Sequence, residues 1–242
     1  WFLSRGAPPP GFRQILLAGA LILTPVLLIA KQPDLGTAIL VASSGAAVVF
    51  LAGLSWIYLA GLAALVLSML PVLWQFLHGY QRDRVLTFLN PEADPLGRGY
   101  HIIQSRIAIG SGELWGKGFR EGTQSQLRFL PERHSDFAVA VFGEEWGFVG
   151  CVALVTLFCL FLLSIFSSAV QAKDRFGSTL VVGVFFYFFW QIFINMGMVI
   201  GLMPVVGIPL PFISYGGSAT VVNFTLLGIV LNVSMRRFMF KS

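Results

Sequence analysis

Between Phe176 and Met235 the sequence runs for 60 residues without one charged side chain. Trp146–Val170 is a second such stretch, of 25 residues. A soluble domain has no place for segments like these, because its elements must present polar surface to water. The composition agrees: 56% of the 242 residues are hydrophobic and 11% charged, against about 25% charged in soluble domains. A water-soluble enzyme and a disordered chain are both excluded. What fits is an all-α membrane protein, a polytopic helical bundle.

A helix of about 20 apolar residues crosses the roughly 30 Å hydrocarbon core of a bilayer. Six spans are expected on that rule, near 14–30, 35–54, 56–77, 137–170, 176–203 and 214–235. Pro204, Pro209 and Pro211 divide the long uncharged run into the last two. A very short turn separates the second span from the third, which predicts a helical hairpin. The chain reads as a single integral-membrane domain over 1–242, with one large loop at 79–135. Gly6-Ala7-Pro8-Pro9-Pro10 reads as a stiff connection before the first span. Trp1-Phe2-Leu3 resembles the tail of a preceding apolar segment, so the sequence is expected to be part of a longer protein. Cys151 and Cys159 lie in an apolar run and read as small core hydrophobes, with no zinc-like spacing.

The loop is where the charge is. It holds 14 of the 27 charged residues, eight basic and six acidic. Counting short loops alone, seven basic residues fall with the termini and only Lys31 opposite, which places the termini inside. The loop's own eight basic residues argue against that orientation. Tyr100–Ile109 predicts a short amphipathic helix with Tyr100, Ile103 and Ile107 on one face, lying either on the bilayer surface or under the loop's own core. Gly110-Ser111-Gly112 and Gly116-Lys117-Gly118 suit either a phosphate approach or ordinary turns; the spacing is not that of a P-loop. Asp136 stands at the membrane boundary, where desolvation raises a carboxylate's proton affinity, and reads as a general base or a helix cap. Glu144 lies too far along a helix from Asp136 to form a glycosidase-type pair, at about 12 Å. Glu144 and Glu145 read as interfacial or structural, pairing with loop arginines. Gln191, Asn195, Asn223 and Asn232 read as interhelical glue. Ser214-Tyr215-Gly216-Gly217-Ser218 either lines a cavity or caps the last helix.

Several longer motifs coincide: Gln32–Thr37, Asp94–Gly97 with Gly99–Ser105, Gly122–Gln126 through Phe129–Phe137, Gly143–Gly147, Asn195–Met198 and Leu202–Pro204 through Ser214–Ser218. Together they resemble the SEDS family of bacterial cell-wall polymerases (shape, elongation, division, sporulation), and the wording GSGELWGKG, GTQSQL and PVVGIPLP is closer to its RodA branch than to its division branch, FtsW. The resemblance implies ten helices in a complete protein, of which this sequence holds the last six. The early helices, with a QPSE-type motif and a nearby Lys, would precede it. It further implies a loop on the outer face of the bacterial cytoplasmic (inner) membrane, and polymerisation of lipid II into glycan strands with release of undecaprenyl pyrophosphate, for cell elongation and rod shape.

Asp136 matches the family's essential loop aspartate. A pyrophosphate leaving group needs no general acid, so one base suffices, but it does need positive charge. Lys117, Arg128 and Arg133 are the candidates to supply it, with His134, Gln124, Ser214 and Tyr215 as further substrate-binding candidates. A divalent cation, Mg or Mn, is a candidate cofactor, and its ligands are not identifiable from the sequence. The implied partners are a class B penicillin-binding protein, the crosslinking transpeptidase, and elongation-complex membrane proteins; no nucleic acid is implied. A lipid II flippase and a scaffold for the penicillin-binding protein are the competing functions. A flippase predicts acids lining mid-membrane depth, and a scaffold tolerates loss of Asp136.

Overall fold

The computed structural model describes residues 10–32, 34–76, 79–95, 99–126 and 135–236. Its elements are helical: α1 (Phe12–Lys31), α2 (Leu35–Leu51), α3 (Trp56–Phe76), α4 (Gly79–Leu89), a 3-10 turn at Pro91–Ala93, α5 (Tyr100–Ser111), the single turn α6 (Thr123–Gln126), α7 (Ala138–Val170), α8 (Arg175–Val199) and α9 (Gly217–Arg236). No strand forms among the described residues. Among them, α1, α7, α8 and α9 are long and apolar enough to cross a bilayer, and α2 is a shorter apolar helix. Leu16, Leu21 and Leu27 on α1, and Val155, Leu160 and Leu163 on α7, stay exposed. Apolar surface on that scale is stable only against lipid or another protein.

The chain divides into two compact units, Trp1–Phe76 with Phe161–Trp190 and Phe224–Ser242, and Leu77–Leu160 with Gln191–Asn223. In the first, Asp34 starts α2 by accepting the N–H of Thr37 at 3.0 Å. A side chain at Gly45 would meet Ile22 at 2.8 Å, so glycine there lets α2 lie close on α1. The α2–α3 turn needs positive φ at Gly53. The core of this unit joins Ile165 and Ala169 on α7 to Val181, Val184 and Phe188 on α8 and Val230 on α9. Phe161 meets Phe188 edge-on, with ring centroids 5.1 Å apart.

The second unit holds the loop region with the adjoining parts of α7, α8 and α9. Here α5 is a packed helix, not a surface one. Its buried face is Ile102, Ser105 and Ala108, while Ile107 is exposed. Ser105 explains the shift of face: its hydroxyl donates to the Val199 carbonyl at 2.7 Å. Arg106 adds a bond to the Gly201 carbonyl at 3.0 Å. Of the two cysteines, both free, Cys151 is half-buried and Cys159 exposed, so only the first approaches the core role expected of it.

Candidate functional site

Helix α7 opens at Asp136–Phe137, and both residues are fixed. Phe137 is buried and stacks on His101 of α5, at 6.1 Å and 10° between planes. Asn195 on α8 donates from Nδ2 to the Asp136 carbonyl at 3.1 Å and to the Ile208 carbonyl at 2.7 Å. One amide therefore ties the start of α7 to the proline-broken segment before α9. The Asp136 side chain is half-buried and faces that segment. A Cβ added at Gly207 would stand 3.4 Å from its Oδ2. Gly207 itself is exposed, so the carboxylate sits beside exposed chain and not in a sealed core.

The broken segment is held from within. Gln191 donates to the Pro209 carbonyl at 3.0 Å. Ser214 takes the Leu210 N–H on its hydroxyl at 2.9 Å and gives its own N–H to the Leu210 carbonyl at 3.1 Å. This tight turn, with Phe212 at φ 63°, carries the chain into α9. Tyr215 stands beyond it, 80% exposed. Gln191 and Asn195 thus bond the backbone of a non-helical segment, which is how irregular chain is satisfied inside a membrane protein.

Nine residues beyond Ala138, α7 itself is interrupted. Gly147 adopts φ 63° and ψ −162°, outside the helical region. The groups this frees are bonded by the loop after α5. Lys117 and Gly118 donate to the carbonyls of Glu144 and Glu145 at 3.0 and 3.1 Å, and Phe148 and Val149 donate to those of Glu113 and Leu114 at 2.8 and 3.1 Å. Side chains have no room in this crossing: a Cβ at Gly116 would fall on the Glu145 carbonyl, and one at Gly147 on the Gly116 nitrogen. The glycines of the loop motif are therefore packing glycines for a broken helix. The phosphate approach they also suited is not what the backbone does with them, since the N–H groups of Lys117 and Gly118 are spent on α7.

Glu144 is fully buried beside the break. Its Oε1 accepts from Lys117 Nζ at 2.8 Å, from Thr123 Oγ1 at 3.2 Å and from the Gln124 N–H at 2.9 Å. Lys117 Nζ also donates to Thr123 Oγ1 at 2.8 Å. The carboxylate thus starts α6 and pins the loop to α7 through a lysine, where sequence reasoning looked for arginines. The candidates Lys117 and Gln124 meet in this cluster, while Asp136 belongs with Asn195 and Gly207. Arg128, Arg133 and His134 lie outside the described residues. Asn195 and Glu144 are the residues whose roles the sequence concealed. The signal for Asn195 was a carboxamide on an apolar helix four residues, about one helical turn, after Gln191, and for Glu144 a lone lysine between glycines upstream.

Among the described residues no three His, Cys, Asp or Glu side chains gather as a metal site. Over residues 2–238 the chain matches the model of the cell cycle protein family FTSW_RODA_SPOVE. It is 51% identical over 239 residues to the peptidoglycan glycosyltransferase MrdB of Escherichia coli K12, covering 98% of this chain and 65% of the relative. Among solved structures it resembles a chain of a peptidoglycan synthase complex that coordinates polymerization and crosslinking, with a TM-score of 0.78 and 35% identity over 98% of this chain and 67% of that one. It also resembles the rod shape determining protein RodA of Thermus thermophilus, with a TM-score of 0.65 and 30% identity over 98% of this chain and 61% of that one.

Proposed function

This chain belongs to the FtsW/RodA/SpoVE family of integral membrane proteins, and on that premise we propose that it is the catalytic part of a peptidoglycan glycosyltransferase that polymerises lipid II for cell elongation. The observation that carries the reading is the placement of Asp136. It is a half-buried carboxylate beside the exposed Gly207, with its backbone clamped by Asn195 and its neighbour Phe137 anchored on His101.

In this reading Asp136 takes the proton from the 4-hydroxyl of the acceptor sugar. The oxygen attacks the anomeric carbon of the lipid-linked donor with inversion, the bond to the pyrophosphate breaks, and undecaprenyl pyrophosphate leaves. A fixed base in hydrogen-bond reach contributes about 10²–10⁴-fold. Arg128 and Arg133 meet the charge that develops on the leaving group. Lys117 joins them through the third hydrogen of its ammonium, two being used by Glu144 and Thr123. His134, Gln124, Ser214 and Tyr215 complete the substrate contacts; Tyr215 is exposed just beyond the backbone turn that Ser214 closes.

The chain spans 65% of the length of its Escherichia coli relative, so the activity is assigned to the whole protein. In this reading there are six spans, near the helical segments α1, α2, α3, α7, α8 and α9, with the termini inside by the short-loop count of basic residues, so that the 79–135 loop lies on the outer face of the cytoplasmic membrane. A class B penicillin-binding protein is the proposed partner, with other membrane proteins of the elongation complex. In the full-length protein, Asp136→Asn is expected to abolish glycan strands made from lipid II on a gel. Polymer at the unchanged level sinks the role of Asp136, and lipid II transport without polymer favours a flippase.

A further inference from the structure

At the opposite end of α8 from Asn195, the α7–α8 turn and the last turns of α9 enclose a cleft of about 430 Å³. Its rim carries Lys173, Asn232 and Arg236, at the ends of the helices, and its inner wall Leu180, Gly228 and Ile229, one to two turns further in. Apart from Thr225, which lines the cleft one turn further along α9, polarity falls in the direction of the helix axes. Asp174 also lines it, but one carboxylate oxygen accepts the Gly177 N–H at 3.0 Å and starts α8. Gly177 brings the two helices together, since an added Cβ would stand 3.0 Å from Val233. Gly228 does the reverse: a Cβ there would meet nothing within 4 Å, which leaves the inner wall open.

We propose that this cleft binds the phosphate-bearing headgroup of an anionic phospholipid. Lys173 and Arg236 meet the phosphate, the Asn232 amide donates to it, and an acyl chain runs past Gly228 along Leu180 and Ile229. The size suits a ligand pocket, and basic clefts between membrane helices are suited to anionic headgroups. A free phosphate shares the charge chemistry but gains nothing from the apolar wall. The cleft uses none of the residues placed in the reaction.

The test uses the purified full-length protein with phosphatidylglycerol, phosphatidylethanolamine or inorganic phosphate, read by lipid retention in native mass spectrometry and by the unfolding temperature. Phosphatidylglycerol is expected to be retained and to raise the unfolding temperature, and the other two are not. At about fivefold per cation, Lys173→Ala with Arg236→Ala weakens retention about 25-fold. Gly228→Leu fills the open wall and also loses the lipid, while lipid-free unfolding stays unchanged. This variant decides the matter if the double variant fails to fold. Equal retention by wild type and Gly228→Leu overturns the proposal, as does stabilisation by inorganic phosphate equal to that by phosphatidylglycerol.

Discussion

The Asn195 amide holds two carbonyls that no helix can serve, those of Asp136 and Ile208. Replacing it with leucine removes the donor from both, at about 1–3 kcal/mol for the buried Ile208 carbonyl. Asn195→Leu is expected to lower the unfolding temperature. It should also cut the turnover of lipid II on the order of 10²-fold, because a small displacement of a reacting group costs that much. Since Asn195 acts through the position of Asp136, the KM for lipid II should hold; a raised KM with turnover intact would show a substrate contact instead. The Lys117–Glu144 pair makes a different prediction. Glu144 is fully buried, so Lys117→Met strands its charge and costs about 3–5 kcal/mol. Adding Glu144→Gln removes that charge and should recover part of the loss in thermal unfolding. If the two losses simply add, the pair is not coupled.

At the scale of elements the break in α7 matters most. A residue at φ 63° and ψ −162° lies in a region that only glycine occupies readily, worth about 1–3 kcal/mol to any other residue. At Gly147 the crowding against Gly116 adds to this. Gly147→Ala is thus expected to lower the unfolding temperature by several degrees and to loosen the 113–118 loop, read as faster amide exchange at Lys117 and Gly118; unchanged exchange would mean the loop does not depend on the break. The sequence hid this feature while revealing the helices around it. Apolar runs such as 146–170 and 176–199 announce themselves locally, through residues adjacent along the chain. The break does not, because the groups that satisfy Glu144 and Phe148 come from residues 113–118, about thirty positions away. The same limit explains α5. Its apolar pattern pointed to Tyr100, Ile103 and Ile107, but the buried face is set by Ser105 bonding a carbonyl of α8. Asp136 was legible as a boundary carboxylate; its clamp was not, since Asn195 lies 59 residues on.

For the whole molecule, the central question is which side of the membrane the loop occupies. Its eight basic residues would hold it inside if they acted alone, yet six acids offset them, and in Lys117 the charge is already bound to Glu144. Arg106 is likewise turned to a backbone carbonyl at Gly201. Charges consumed inside the fold are weak topological signals, whereas those beside the short turns and termini sit where the positive-inside rule is counted. The loop should therefore lie outside and the α7–α8 turn inside. In full-length protein lacking Cys151 and Cys159, the exposed positions Glu121 and Gln171 report the two sides. Glu121→Cys is expected to react with a membrane-impermeant maleimide added to spheroplasts, and Gln171→Cys only after permeabilisation. The reverse pattern would put Asp136 on the inner face, out of reach of an acceptor strand growing in the wall, and would overturn the orientation and the proposed reaction together.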